Sequence, residues 1–478
     1  MMRKAPLTRG LTLAAVLIPA VSGPARGQVG DLEEAVAQYV KVDAPVVALT
    51  GVQVVDGTGA SPMANATIVI RDGVIEAVGE GVEVPEGAEV LDLPGHTVIP
   101  GIVGLHDHTF YVTAGRMVQS TETAPKLYLG SGVTTVRTTG SYHPYSELNL
   151  KRAIDAGVLP GPRIHVTGPY LVGEPIAELD MTVVDDPEEA RRVVDYWADE
   201  GATWFKVYTR ISRADLAAVI EEAHRRGLKV TGHICSVSFR EAAELGIDNV
   251  EHGLYTNSDY VAGKQPDECP PAMMASLLSL DLEGPEVEAT FRDLIDRGVA
   301  MTSTLAILET FVPNRPPLDQ RMLDLMAPEI REEVLETHAA IEATAGSSPW
   351  PRFFEKVLAY EKAFVDAGGL LAAGVDPTGY GGAIAGTGDL RNYELLLEAG
   401  FTPVQAIQIM TANGAKVLGE YDNYGSIEAG KLAELAVIEG DPVARPAEIH
   451  NVALVFKDGL GYDAPALIES TKGIVGIR

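Results

Sequence analysis

The spacing of apolar residues divides the chain into distinct textures. Residues 31–43 carry apolar positions at helical spacing and predict a short amphipathic helix. From 46 to 78 the pattern becomes short β-rich runs, 46–55, 66–71 and 74–78, broken by Asp56-Gly57-Thr58-Gly59 and Asp72-Gly73. An Asp-Gly step between two alternating runs predicts a hairpin. The same texture returns in 425–430, 432–439 and 451–457, with turns at Gly440-Asp441-Pro442 and Asp458-Gly459. Two small β segments near opposite chain ends can pair into one sandwich, with the middle of the chain inserted between them.

The middle alternates short β-branched runs with longer helical patterns, the signature of a parallel sheet with crossover helices. Eight strands are expected, at 102–108, 133–138, 163–167, 204–208, 229–233, 249–252, 300–305 and 370–375. Helical stretches such as 188–200, 212–226, 239–245 and 288–297 separate them. Eight such units predict an α/β fold, a (β/α)8 TIM barrel with insertions, joined to the small β-sandwich; a doubly wound open sheet is the competing arrangement. The expected division is 1–27 signal peptide, 28–100 first part of the sandwich, 101–420 barrel and 421–478 second part of the sandwich.

The first residues stand apart. Arg3, Lys4 and Arg9 precede an apolar run over 11–21, which ends in Ala25-Arg26-Gly27. This is the layout of a secretory signal peptide, so an exported, periplasmic or secreted protein is expected. No later segment approaches the roughly 18 continuous apolar residues of a membrane helix. The chain of 478 residues has 37 Lys and Arg against 67 Asp and Glu, a net charge of −30. Residues 1–27 hold four of the basic residues and no acidic ones. The mature chain is therefore more acidic still, which argues against nucleic acid or an anionic membrane surface as partner. Much of the acidity falls in 185–200 and 329–342, helical stretches assigned to a solvated outer ring. Two cysteines, Cys235 and Cys269, are too few for a disulfide framework or a Cys-rich zinc module, and Cys235 is expected as a buried thiol.

The polar residues that end the strands carry the chemistry. Leu105-His106-Asp107-His108 places two histidines two apart, on one face of a strand. Lys206 interrupts an apolar strand, Val230-Thr231-Gly232-His233 and Val250-Glu251-His252 end in histidine, and Gly374-Val375-Asp376-Pro377 ends in a carboxylate. In a barrel the C-terminal strand ends converge on one face, where catalytic groups sit. Any one of these could be a structural residue; four His, one Lys and one Asp together point to a metal site. Imidazoles and a carboxylate suit Zn2+ and related ions. Burial would leave Lys206 as a free amine able to take up CO2, and the resulting carbamate has two oxygens to bridge two metals. His106, His108 and Asp376 would then hold one ion, and His233 and His252 the other. A water shared by the ions would be acidified towards a hydroxide nucleophile, with Asp376 as proton shuttle.

With these residues in view, the chain resembles the amidohydrolase superfamily. The resemblance rests on His-x-His after Pro100-Gly101-Ile102-Val103, on Lys206, Gly232-His233, Glu251-His252-Gly253 and Gly374-Val375-Asp376, and on Gly425-Ser426-Ile427-Glu428-Ala429-Gly430-Lys431 re-entering the sandwich. It covers nearly all of the mature chain and is similar in detail to the imidazolonepropionase-like and prolidase-like branch. It implies a TIM barrel with a sandwich, and hydrolysis of amide, peptide, lactone or related bonds. It also implies two divalent ions, Zn2+ the expected ones, bridged by N6-carboxylated Lys206, with the metal ligands His106, His108, Lys206, His233, His252 and Asp376. Mononuclear members typically lack the lysine, so Lys206 favours the binuclear, prolidase-like members. The continuation Lys206-Val207-Tyr208-Thr209-Arg210 lacks the Ser-Gly-Gly of many prolidase-like relatives, which leaves dipeptide specificity open.

Candidate substrate contacts are Tyr208 on the face of Lys206, His143 after the second strand, and Arg210 for a carboxylate. Insertions at 254–285 and 306–351, the second with a helix near 319–345, are expected as lids or specificity loops. The glycine-rich 379–388 is expected as a mobile loop beside Asp376. The function expected is a binuclear metal-dependent amidohydrolase acting on a dipeptide or N-acyl amino acid, a small-molecule substrate. The alternatives are a lactonase or esterase with the same site, a mononuclear imidazolonepropionase-like or deaminase hydrolase, and a non-catalytic scaffold. Self-association as a homo-oligomer is left open by the residues.

Overall fold

A computed structural model describes residues 32–176, 179–271, 273–315 and 318–477; the expected signal peptide lies outside the described residues. All eight expected barrel strands are present: Ile102–Asp107, Val133–Thr138, Arg163–Val172, Trp204–Val207, Lys229–Gly232, Asn249–Glu251, Ala300–Ser303 and Leu371–Ala373. They pair in parallel and in sequence order, and every one is largely or wholly buried, as strands covered on both faces must be. Eight parallel strands in this order form a nearly closed barrel. The eighth strand returns to the first through the Asp376 N–H, which donates to the His106 carbonyl at 2.7 Å. Gly374 permits that approach, because a Cβ there would lie 2.2 Å from the His106 backbone nitrogen. The doubly wound alternative is excluded by this closure.

The crossover helices begin and end where local chemistry dictates. Pro187–Glu200 starts on Asp186, whose side chain accepts from the Glu188 N–H, and stops at left-handed Gly201. Phe239–Leu245 starts with a capping box between Ser238 and Glu241 and stops at left-handed Gly246. The helix expected near 319–345 is divided into Gln320–Leu325 and Pro328–Glu342, since a proline at 328 starts a helix rather than continuing one.

Strands from both chain ends share one nine-stranded sheet. Val46–Val54, Met63–Arg71 and Val74–Glu80 form its N-terminal side, with the expected hairpin turning at Asp72-Gly73. His96–Pro100 pairs antiparallel with Leu435–Glu439 and so ties the two ends together. A separate apolar core fills this unit, built from Leu49, Ile68 and Val98 of one end and Leu435, Val437 and Phe456 of the other.

Two expectations about loops need correction. Cys235 is not a buried thiol but is bonded to Cys269, with the two Cα atoms 4.9 Å apart. The insertion after strand six folds back across the loops that follow strands four and five, and that return brings the two cysteines together. The residues of 379–388 are mostly buried, and Tyr111 Oη donates to the Gly381 carbonyl at 2.6 Å, so this stretch is packed against the hairpin after strand one.

The bond closes a loop with a sequence separation of 34. Chain-entropy arguments give such a link about 3–4 kcal/mol. A Cys235→Ser and Cys269→Ser double variant is therefore expected to unfold at a clearly lower urea midpoint than the oxidised protein, and equal midpoints would refute the link's role.

Candidate metal centre

Each site residue owes its position to a strand end. His106 lies in strand one, while His108 follows immediately after it and Lys206 lies in strand four. His233 and His252 are the residues directly after strands five and six, and Asp376 follows strand eight. His106, His108, Lys206 and His252 are each at most 2% exposed, and Asp376 is 8% exposed. Two of these residues have left-handed backbone, His252 at φ 64° and Asp376 at φ 50°. Such conformations are costly for non-glycine residues and persist where the surroundings enforce them, often at functional sites.

The six side chains converge. His108 Nε2 is 3.4 Å from Asp376 Oδ1, and His106 Nε2 is 3.7 Å from Asp376 Oδ2. His252 Nδ1 is 3.9 Å from the same carboxylate. Lys206 Nζ is 3.1 Å from His106 Nε2. The His233 and His252 rings are 4.5 Å apart, as are those of His106 and His252. Ligand atoms of His106, His108 and Asp376 lie within 4.8 Å of one another, close enough to share one ion.

Surrounding groups fix how these side chains present themselves. Glu251 accepts from His106 Nδ1 at 2.7 Å, and a carboxylate can only accept, so Nδ1 bears the proton and Nε2 offers its lone pair. Glu251 is itself held by Arg137 Nη2 at 2.6 Å and by the side chains of Asn249 and Thr231. Arg137, wholly buried, also donates from Nε to the Leu105 carbonyl at 2.8 Å and stacks over Trp204. His252 Nδ1 lies 2.8 Å from Thr304 Oγ1.

The electrostatics favour metal ligation. Burial first, then Lys206, lowers His106 to about 4; burial likewise lowers His108, and lowers His233 and His252 well below the ordinary range. All four are neutral at neutral pH, the form that binds a metal. Burial opposes ionisation of Asp376, but His106, His108 and His252 outweigh it and hold the carboxyl well below its ordinary value. Burial lowers Lys206 to about 8 against the pull of Glu251 and Asp376. His108 Nδ1 and His252 Nε2 are buried without a hydrogen-bond partner. Buried polar atoms are rarely left so, and nitrogen and carboxylate donors at this spacing fit a divalent ion.

Of the expected substrate contacts, Tyr208 lies beside the cluster, its ring 4.5 Å from that of His233. His143 and Arg210 do not join it: both are exposed, and Arg210 Nη1 reaches the Pro175 carbonyl at 3.5 Å. Tyr142, the neighbour of His143, lies nearer, its ring 5.0 Å from Tyr170. Tyr170, whose Oη lies 3.4 Å from His108 Nε2, is a contact the strand pattern missed. Strand three was expected to stop at 167 before Gly168-Pro169, but a register shift between Thr167 and Tyr170 lets it continue to Val172 opposite strand four. Glu251, Arg137 and Thr304 were also missed, although Glu251 stands directly beside His252.

Residues 97–264 and 360–460, more than half of the chain, match the profile of the amidohydrolase family. The chain is 22% identical to an ochratoxinase from Aspergillus niger over 467 residues, covering 85% of this chain and 84% of that protein. Among solved structures, a Xaa-Pro dipeptidase with bound methionine in its active site is 23% identical, with a TM-score of 0.65 over 87% of this chain and all of that one. A bottromycin amidohydrolase is 19% identical, with a TM-score of 0.68 over 92% of this chain and 95% of that one. These structural likenesses establish the fold.

Proposed function

Given that this chain belongs to the amidohydrolase family, as a metal-dependent hydrolase acting on carbon–nitrogen bonds, we propose that it is a binuclear enzyme cleaving the amide of a dipeptide or N-acyl amino acid. The observation that carries this reading is the buried His106–His108–Asp376 group with Lys206 Nζ 3.1 Å from His106 and the His233–His252 pair on its flank. His106, His108 and Asp376 would hold one ion, and His233 and His252 the other. Lys206 would join them as a carbamate, its amine adding CO2 to give a carboxylate with loss of one proton. When bound, the ions supply positive charge that acidifies a water and polarises the scissile carbonyl. Zn2+ is the ion proposed, from the mix of imidazole and carboxylate donors.

The remaining roles fall to protein groups. Asp376, ionised at neutral pH, takes a proton from the attacking water and delivers it to the leaving nitrogen. Tyr170 and Tyr208 keep their protons, since burial raises both phenols; each can donate to the carbonyl oxygen as charge develops there. Glu251, with Arg137 behind it, fixes the ring of His106. We further propose an exported location: the Cys235–Cys269 bond supports an oxidising compartment.

The test is a panel of dipeptides, N-acyl amino acids and lactones, assayed on Zn2+-loaded wild type and Lys206→Met. Amide hydrolysis that falls about 100-fold or more in the variant is the expected result. Cleavage of lactones alone would overturn the amide reading, and undiminished activity in Lys206→Met would overturn the bridging role.

A further inference from the structure

The rim of the site is built from aromatic rings, and most of them are left half-covered. On the barrel side Tyr142, Tyr170 and Tyr208 follow one another at centroid spacings of 5.0 and 5.5 Å, and Tyr208 reaches His233. On the other side Tyr255 lies 6.2 Å from His252 and 6.4 Å from His233. Trp350 lies 5.9 Å from Tyr255, and Phe311 stacks on Trp350 at 5.1 Å. The path of rings therefore runs from one flank of the metal ligands to the other.

Its two halves come from different parts of the chain. Tyr142, Tyr170 and Tyr208 belong to barrel strands and their loops, whereas Tyr255, Phe311 and Trp350 come from the two long insertions. Tyr142, Tyr208, Tyr255, Phe311 and Trp350 are all half-buried, unlike the fully buried Phe353 that backs Tyr255 and Trp350. Large half-buried rings in such a run offer flat surfaces on which another ring can lie. Two cations on the neighbouring loops are engaged elsewhere: Arg213 with Asp267 and Glu241, and Lys264 with the Ser236 carbonyl and Glu241.

Resting on the amide-hydrolase reading above, we infer that the aromatic rim makes this a hydrolase of amides carrying an aromatic group beside the scissile bond, with Tyr255 and Trp350 as specificity-determining residues. The barrel-side tyrosines, each with a hydroxyl, lie close to the ligands and suit the polar amide itself. The insertion side, with Trp350 and Phe311, suits the ring. The insertions are in this way the specificity elements of the site, and Cys235–Cys269 anchors the one that carries Tyr255.

The test compares matched amides that share one scissile bond and differ only in a phenyl or naphthyl group against a methyl or isobutyl group. The aromatic member is expected to have a kcat/KM at least about 10-fold higher, equivalent to about 1.4 kcal/mol. Trp350→Ala and Tyr255→Ala are expected to shrink that ratio about fivefold, and Trp350→Phe to retain most of it. Equal or better cleavage of the aliphatic member by wild type, or an unchanged ratio in Trp350→Ala, would overturn the inference. A second readout separates it from the hydrolase reading: a ketomethylene isostere of the aromatic amide should perturb tryptophan fluorescence of the wild type but not of Trp350→Phe. Binding of that isostere without cleavage of any amide would leave the aromatic site standing and remove the hydrolase reading. Amide cleavage with no fluorescence response would remove the aromatic site alone.

Discussion

Asp376→Asn is expected to lower kcat by about 10^3-fold or more while the protein remains folded. The substitution keeps the shape of the side chain and an oxygen to accept from Thr378 Oγ1, now 3.0 Å from Asp376 Oδ1. It removes the charge that faces His106, His108 and His252, and with it the group able to take and return a proton. Burying a neutral amide costs less than burying a carboxylate, so folding should not suffer in proportion. Steady-state kinetics beside a thermal melt separates the two effects. If the variant keeps more than about a tenth of wild-type kcat, Asp376 is not the proton carrier.

The second large effect is on stability. Glu251 and Arg137 are both fully buried and paired at 2.6 Å. Breaking such a pair by neutralising one partner leaves a charge without compensation and costs about 3–5 kcal/mol. Burial opposes ionisation of Glu251, but Arg137 and then His106 hold its carboxyl well below the ordinary value. The contribution of such a depressed carboxyl is present at neutral pH and is lost only as pH falls through its folded-state value. Glu251→Gln at neutral pH is therefore expected to unfold at markedly lower denaturant, with the difference narrowing in acid. Joint replacement by Arg137→Met and Glu251→Leu should recover part of the loss, because no buried charge is then left alone. Additive losses in the double variant would show that the pair is not coupled.

Much of the candidate metal centre was legible in the chain because polar residues at strand ends leave a simple pattern. His106 and His108 sit two apart, and Lys206 breaks an apolar run where a charge is expensive. What the pattern hid was set by departures from regular strand geometry. Glu251 and His252 are adjacent, so strict alternation would send one of them away from the centre. The left-handed backbone of His252 cancels that alternation and lets both serve the site. Arg210 is suggested by its guanidinium chemistry alone; it lies beyond the end of strand four at Val207 and is exposed, its Nη1 reaching the Pro175 carbonyl. Tyr170 was hidden because strand three, expected over 163–167, shifts register after Thr167 and continues to Val172. The rings of Tyr255, Phe311 and Trp350, and the Cys235–Cys269 bond, lie on insertions whose return to the barrel has no periodic signature. The sandwich was readable from turn residues at both chain ends, whereas its union into one sheet depends on His96–Pro100 meeting Leu435–Glu439, a pairing across most of the sequence.

The central proposal is that Lys206 and five other side chains together hold two ions. Metal content per chain, measured on Zn2+-saturated wild type and Lys206→Met in bicarbonate-containing buffer, tests it most directly. Two ions per wild-type chain, falling to one or fewer in Lys206→Met, are predicted. A single ion per fully active wild-type chain, unchanged by the substitution, would contradict it.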